Sequence, residues 1–465
     1  MQALLAGFAP CFTRPGFENF VTMISGWITC QGRHSISRMI QAASGLDGGK
    51  HHSRFYRFLA HGSWATDPVG NVLFQLLLPW LPTQITLILD DTLSHKSGPH
   101  IFGAAMHYDA HRSTYGRGTT EGRKGFFAFG HNWVVAALWL PLPWNRDRGL
   151  AIPILFRLYR SKKRCPKKIY RKRTEMASEL VKLVASWLPD DRQLEVVGDA
   201  EYACKTVVRD LPDGVHFTGP MVMNAAFYEP AGPYQGRGRR RSKGNRLPSP
   251  KKLAASKSTP WEQVTLSIYG KEVAIKVKTM LGLWHTVAGT RLLRMIVTRD
   301  PTGRIDDRAY FSTDAEIAAG DILVRYARRW EIEVAFRNTK QAMGLEHPQN
   351  GWWRRKTGSP RPRKRPGPNP RERVGETAIN HTLTIAFVSY AVTVLWYLHH
   401  GKPEDDVARV RREAPWYQHK KTPSFIDMLA AVRREIWKTR FSQHPALRLG
   451  REKLHEILPQ WLIAA

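Results

Sequence analysis

Tyr326, Arg329, Glu333 and Lys340 follow one another at intervals of three, four and seven residues. On an α-helix turning 100° per residue, this spacing gathers a phenol, a guanidinium, a carboxylate and an ammonium within an arc of about 60°. Arg337 falls beside them. Leu323, Trp330 and Val334 flank the stripe on one side, and Ile332, Phe336 and Met343 on the other. The helix, expected over 321–345, should therefore be buried around a polar groove rather than solvated on the surface. A carboxylate kept among cations in such a place is either a structural ion pair or a working ligand, and the helix alone does not decide between them.

Two other carboxylate positions shift that balance. Ile85-Thr86-Leu87-Ile88-Leu89 is a short apolar run that meets Asp90-Asp91-Thr92, and Leu194-Glu195-Val196-Val197 runs into Gly198-Asp199. Both read as buried strands ending in acids, where open sheets place their ligands. Either Asp90 or Asp91 can be the first of these, because alternate strand residues face opposite ways. Three such carboxylates can hold two hard cations, and two Mg²⁺ ions would clamp the attacking and leaving oxygens of an in-line phosphoryl displacement. No G-x-x-x-x-G-K loop is present, which argues against an ATP-driven enzyme.

Further elements must position these residues. Residues 18–80 read as helical, with helices at 21–30, 35–43 and 53–61 separated by short breaks. This suits a helix-turn-helix-like module whose third helix presents His51, His52, Ser53, Arg54, Tyr56 and Arg57 to phosphates or base edges. Strands are expected at 85–89, 101–106, 126–140, 150–159 and 194–197, with helices at 174–188 and 201–211. That order fits a mixed α/β sheet. Between about 220 and 315 a Gly/Arg/Pro-rich stretch and four alternating strands look like an insertion. The C-terminal part is expected to be helical at 376–400 and 424–437.

Tyr326-x-x-Arg329-x-x-x-Glu333-x-x-x-x-x-x-Lys340 resembles the Y-R-E-K signature of DDE transposases of bacterial insertion sequences, in the group with a β-strand insertion between the second Asp and the Glu. Leu89-Asp90-Asp91-Thr92 and Val197-Gly198-Asp199-Ala-Glu-Tyr202 are similar to the contexts of that family's aspartates. About 110 residues separate Asp90 from Asp199 and about 130 separate Asp199 from Glu333, leaving room for the insertion. The resemblance implies an RNase H-like mixed-sheet catalytic core at 81–219 and 316–350, an inserted β-rich domain at 220–315, an N-terminal DNA-binding module at 1–80, a basic Pro-rich loop at 351–375 and a C-terminal helical region at 376–465. It also implies that Asp90, Asp199 and Glu333 bind two Mg²⁺ ions, with Mn²⁺ able to replace them, and that water cuts the element end before the freed 3′-hydroxyl attacks target DNA. Asp90 is preferred because Thr92 fits the family's place for Thr, with Asp91 as the alternative. Tyr326, Arg329 and Lys340 are the implied DNA contacts; Arg337 on the same stripe, and Arg54 and Arg57 on the third N-terminal helix, are expected by placement and residue type to bind DNA as well. Some relatives hold a flipped base on an aromatic of the insertion, a place open here to Trp261 or Trp284.

Composition agrees with a polyanion partner. The 465 residues carry 71 Lys and Arg against 39 Asp and Glu, a net charge of +32, which concentrates anions around the whole surface. The excess gathers at 162–173, 237–252 and 354–373, consistent with a duplex channel around an acidic centre. His95, Lys96, His100 and His107 follow the first acid and suit phosphate better than metal. With 42% hydrophobic residues, the chain can bury real cores. Four scattered cysteines form neither a disulfide framework nor a zinc knuckle. Residues 379–398 match a membrane span in length, but polar residues within them favour a buried core helix. The expected partners are double-stranded DNA, namely terminal inverted repeats and target, and a second copy of the chain through C-terminal helices such as 424–437. The expected place is the cytoplasm, at the nucleoid. The alternatives are an inactive or repurposed nucleic-acid-binding relative, or a metal-dependent nuclease of the same fold.

Overall fold

In the computed structural model, which describes residues 1–43, 49–97, 101–109, 126–163, 165–234, 236, 239–348 and 373–443, five helices come first. They are α1 (Gln2–Ala6), α2 (Arg14–Thr29), α3 (Ile36–Ala43), α4 (Ser53–His61) and α5 (Thr66–Leu77). Four strands follow, β1 (Gln84–His95), β2 (Ala105–Tyr108), β3 (Phe127–Leu142) and β4 (Asn145–Tyr159), then α6 (Arg173–Ala185), β5 (Gln193–Gly198), α7 (Lys205–Val208) and β6 (Val215–Met221). The next segment holds a two-residue ladder, β7 (Phe227–Tyr228) with β8 (Arg246–Leu247), then α8 (Pro250–Ala255), β9 (Glu262–Ile268), β10 (Lys271–Gly282), α9 (His285–Ala288), β11 (Leu293–Arg299) and β12 (Arg308–Ser312). Helices α10 (Ala319–Ala327), α11 (Trp330–Gln341), α12 (Arg373–His400), α13 (Pro403–Glu413) and α14 (Phe425–Gln443) complete the described chain.

The central strands run in the order β4-β3-β1-β5-β6. β3 pairs antiparallel with β1 and β4, whereas β5 lies parallel to both β1 and β6. An antiparallel meander continued by parallel strands reached through helical crossovers is the RNase H-like mixed sheet anticipated above. β1 and β5 are buried on both faces: Ile85, Leu87, Ile88 and Leu89 are wholly buried, and so are Thr86 and Glu195.

Three features depart from the sequence reading. The strands of the insertion form no separate sheet, since β12 pairs antiparallel with β6 and carries β11, β10 and β9 outward in one ten-stranded sheet. β6 itself, a short run with Gly219 and Pro220, escaped notice. β1 does not stop at Asp90 but continues to His95 against β3. What stops is its parallel ladder with β5, at Leu89 opposite Gly198. The helix expected over 321–345 is two helices, α10 and α11, tightened at Arg328–Arg329 by three-residue hydrogen bonds such as Arg329 N to Tyr326 O and Ile332 N to Arg329 O.

α12 is the helix of membrane-span length, and 94% of its apolar window is buried. It packs against α2, α4, α5, β4 and α14, with Ile385, Tyr390, Val392, Val394 and Leu395 fully enclosed. At about 1.5–3 kcal/mol for each large apolar side chain removed from water, it is a principal pillar of the core. Its His381 ring stacks on Trp64 and lies 2.9 Å from the carbonyls of Leu59 and Trp64, tying the N-terminal helices to it.

Candidate active site

The acids meet where the parallel ladder ends. Beyond Leu89 and Gly198 no ladder bond joins β1 to β5, and the next residues are Asp90 and Asp91 on one strand and Asp199 on the other. Asp199 starts the turn that leaves β5, its Oδ1 accepting from Glu201 N at 2.9 Å and Tyr202 N at 3.3 Å, which fixes the carboxylate. Gly198 allows the chain to fold back, because a Cβ there would stand 2.9 Å from Tyr202 Cβ.

Alternation sends Asp90 and Asp91 to different partners. Asp90, 8% exposed, accepts from Arg329 Nη1 at 2.8 Å and from its neighbour's backbone N. Arg329 Nη2 also reaches Glu333 Oε1 at 2.8 Å, so one guanidinium joins the acid of β1 to the acid in the first turn of α11. A carboxylate at that helix N-terminus is favoured by the helix dipole. Asp91 instead accepts from Asn132 Nδ2 at 2.8 Å and Arg173 Nη1 at 3.1 Å, and Arg173 Nη2 pairs with Glu201 at 2.7 Å. Two arginines thus bridge two carboxylate pairs. The link to Glu333 runs through Asp90 and not through Asp91.

The electrostatics are those of acids short of counter-charge. Burial pushes the Asp90 carboxyl up to about 8; Arg329 pulls the other way, and Asp91 and Asp199 add to the rise. Asp199 and Glu201 are also raised, each chiefly by burial. The Tyr202 hydroxyl is fully buried without a hydrogen-bond partner, and the charges of Asp91, Asp90, Glu201 and Asp199 bear on it. Asn132 Oδ1 is likewise without a partner. Carboxylate oxygens, an amide oxygen and a phenol are donors suited to a hard divalent cation, so the residues fit one in chemistry. As placed, however, no three carboxylate, His or Cys side chains among the described residues stand together as a ligand set. Arg329 lies between Asp90 and Glu333, and Arg173 between Asp91 and Glu201.

The other anticipated residues are distributed unevenly. Lys340 is half-buried, its Nζ donating to Leu93 O at 2.8 Å, so it braces β1 just past the acids. Arg337 is exposed. Tyr326 packs on Tyr310, ring centroids 4.8 Å apart, in a cleft of about 550 Å³ between α10–α11 and β9–β12 that Arg329, Tyr269 and Trp330 also line. Trp330 is half exposed on that rim instead of buried beside the stripe. Trp284 is 7% exposed and edge-on to Phe311, so it offers no open ring face to a base. Trp261 is half-buried, with Lys278 Nζ and the Arg299 guanidinium 4.6 and 4.3 Å from its ring centroid. His95 is held between Asp109 and Glu346 at 2.9 and 3.0 Å, and Lys96 Nζ donates to the carbonyls of Glu346 and Pro348. These two serve the fold rather than a phosphate, and His107 is buried. Arg54 and Arg57 are exposed along α4, with His51, His52 and Tyr56 beside them. The residues 354–372, His100, Arg164 and Arg237 lie outside the described residues.

Sequence reasoning missed Arg173, Glu201 and Tyr202. A signal existed for the first, since Arg173 is the last cation of the 162–173 run and opens α6. Also missed were Arg325 and Arg328, which reach beneath the sheet. Arg325 pairs with Glu195 and Gln84 at 2.8 Å each, and Arg328 Nη1 donates to Thr86 at 2.7 Å.

An RNase H-like sheet with acids converging at the open end of its central strands defines a nuclease-type core. A family profile described as DDE superfamily endonuclease matches residues 7–276, which take in Asp90, Asp91 and Asp199. A second, described as the archaeal transposase type ISC1217, matches residues 289–359, which take in Glu333. The chain belongs to the DDE superfamily endonucleases, whose members generally use divalent metals and act on DNA. No curated protein matches it.

Proposed function

We propose that the chain is the transposase of an insertion element, of the Y-R-E-K group. It binds the terminal inverted repeats as double-stranded DNA, cleaves at their ends and joins them to target DNA. Asp90, Asp199 and Glu333 would hold two Mg²⁺ ions, or Mn²⁺ in their place, which supply Lewis-acid stabilisation for an in-line displacement at phosphorus. The observation that supports the reading is the Arg329 fork joining Asp90 to Glu333, two acids distant in sequence, with Asp199 directly after the last β5 residue that pairs with β1. Tyr326, Arg329 and Arg337 hold the cut strand's phosphates, while Lys340 fixes the β1 segment carrying the first acid. Exposed Lys162, Lys163, Lys167 and Lys168 stand on the approach to Arg173 and follow the duplex backbone. Joining two ends requires two such centres, so the active form is a homodimer on DNA, working at the nucleoid.

The test is strand cleavage and end joining on a duplex carrying the element's terminal repeat, with Mg²⁺. Asp90→Asn, Asp199→Asn and Glu333→Gln are each expected to lower cleavage by at least about 100-fold, since losing even an outer partner of a ligand costs 10–100-fold. Wild-type rates in all three overturn the reading. Cleavage without joining reduces it to a nuclease of the same fold. A greater loss in Asp91→Asn than in Asp90→Asn moves the first ligand to Asp91.

A further inference from the structure

Two of the acids proposed as cation ligands have a guanidinium lying between them. Arg329 spans Asp90 and Glu333 with one 2.8 Å bond to each, and its side chain is only 18% exposed. The planar fork that satisfies two carboxylates here is equally matched to the oxygens of a phosphate.

We infer that Arg329 makes cation loading conditional on DNA: it neutralises Asp90 and Glu333 in the free protein and releases them when a DNA phosphate takes over its guanidinium. This rests on the proposed function, since it takes those acids as ligands and DNA as substrate.

Asp90 is buried, so its charge needs a positive partner. In the free protein that partner is Arg329. A metal ion held through Asp90 Oδ2 and Glu333 Oε1 displaces the guanidinium from those oxygens, which breaks both ion pairs and leaves a half-buried arginine without an anion. A phosphate in reach of Arg329 removes that cost. The side chain has somewhere to go, because Arg329 also lines the cleft shared with Tyr326, Tyr269 and Trp330, and its guanidinium stands 6.0 Å from the Tyr326 ring centroid. Its neighbours cannot take its place: Arg325 is committed to Glu195 and Gln84, and Arg328 to Thr86 beneath the sheet.

By linkage, whatever DNA does to metal affinity, metal does to DNA affinity by the same factor. A free protein with its acids occupied by arginine would not hold a loaded cutting centre away from its substrate.

The experiment measures Mn²⁺ binding to the full chain by the resonance signal of the free ion, with and without a short blunt duplex, at one fixed pH for all proteins. Without DNA, Arg329→Gln is expected to bind Mn²⁺ about tenfold more tightly than wild type, within the roughly 5–150-fold range of coupled sites. The duplex should tighten wild type by a similar factor and Arg329→Gln far less. Arg329→Lys, which keeps the charge but not the fork, should fall between them. If Arg329→Gln does not fold, Arg329→Lys carries the test alone and must still exceed wild type without DNA. Equal affinities without DNA in folded proteins overturn the coupling and leave the nuclease reading standing. No Mn²⁺ binding that depends on Asp90 and Glu333, with or without duplex, overturns both.

Discussion

Gly198 decides how closely the second acid can approach the first. It is the last residue of β5 and the last to pair with β1, opposite Leu89. A Cβ on it would meet Tyr202 Cβ at 2.9 Å and the Phe217 ring at 3.2 Å. Tyr202 Cβ is one bond from the backbone and cannot swing aside, so Gly198→Ala must push the Asp199–Tyr202 turn away from the sheet. Overpacking of this kind costs about 1–3 kcal/mol, and urea denaturation of Gly198→Ala should register a loss of that size. Cleavage should fall further than stability, because the Asp199 carboxylate rides on the same turn. Full activity in the variant would mean that Asp199 need not sit where the turn now holds it.

Above the single residue, helix α10 meets the sheet through a polar seam. Arg325, Arg328 and Arg329 engage Gln84, Thr86 and Asp90, which share one face of β1 at even spacing. The seam sets the register of α10 and α11 on the sheet, and with it the place of Glu333. Its buried anchor is Glu195, held by Arg325 at 2.8 Å and by the Thr218 hydroxyl. Burial pushes Glu195 up to about 7, with Arg325 and Thr218 opposing the rise. A carboxyl raised in the fold holds its proton where the unfolded chain has lost it, so its contribution to stability declines as pH rises from the ordinary carboxylate range to about 7. Glu195→Gln, neutral throughout, should match wild type at low pH and gain on it across that window, as thermal melts at several pH values would register. A constant difference between the two would mean that Glu195 is ionised throughout. The seam also marks the limit of what the sequence could reveal. The Y-R-E-K spacing picked out Arg329 and Glu333 because they act along one helix, whereas Arg325 and Arg328 take their meaning from a strand some 240 positions away. The apolar runs gave β1, β5 and β9–β12 by alternation and burial. They gave neither the joining of β12 to β6 nor the tightening at Arg328–Arg329, which tertiary pairing and packing impose on local pattern.

At the scale of the whole molecule, the question is whether the +32 charge is organised around the acids. The N-terminal helices are fastened to the residues that follow α11: Trp27 Nε1 donates to Met343 O at 2.7 Å, and His34 N to His347 Nδ1 at 3.1 Å. Through Leu59 and Trp64 they are also held to His381 of α12. Helix α4 is therefore carried on the same core as the candidate active site. Its outer face is basic, with Arg54 and Arg57 exposed one turn apart and Phe55, Phe58 and Leu59 turned inward. If that face follows a duplex that also reaches the acids, each arginine neutralises a phosphate and releases counterions, so the logarithm of affinity falls with the logarithm of salt by about 0.9 per contact. The double variant Arg54→Ala/Arg57→Ala should then weaken DNA binding at low salt almost equally for all sequences and flatten the salt dependence by roughly 2 in slope. Mn²⁺ affinity without DNA should not change, because neither arginine is among the groups bonded to the acids. Filter-binding or anisotropy titrations across a salt series measure the slope directly. An unchanged slope would remove α4 from the DNA path and leave the exposed lysines before Arg173 as the side from which the duplex reaches the acids.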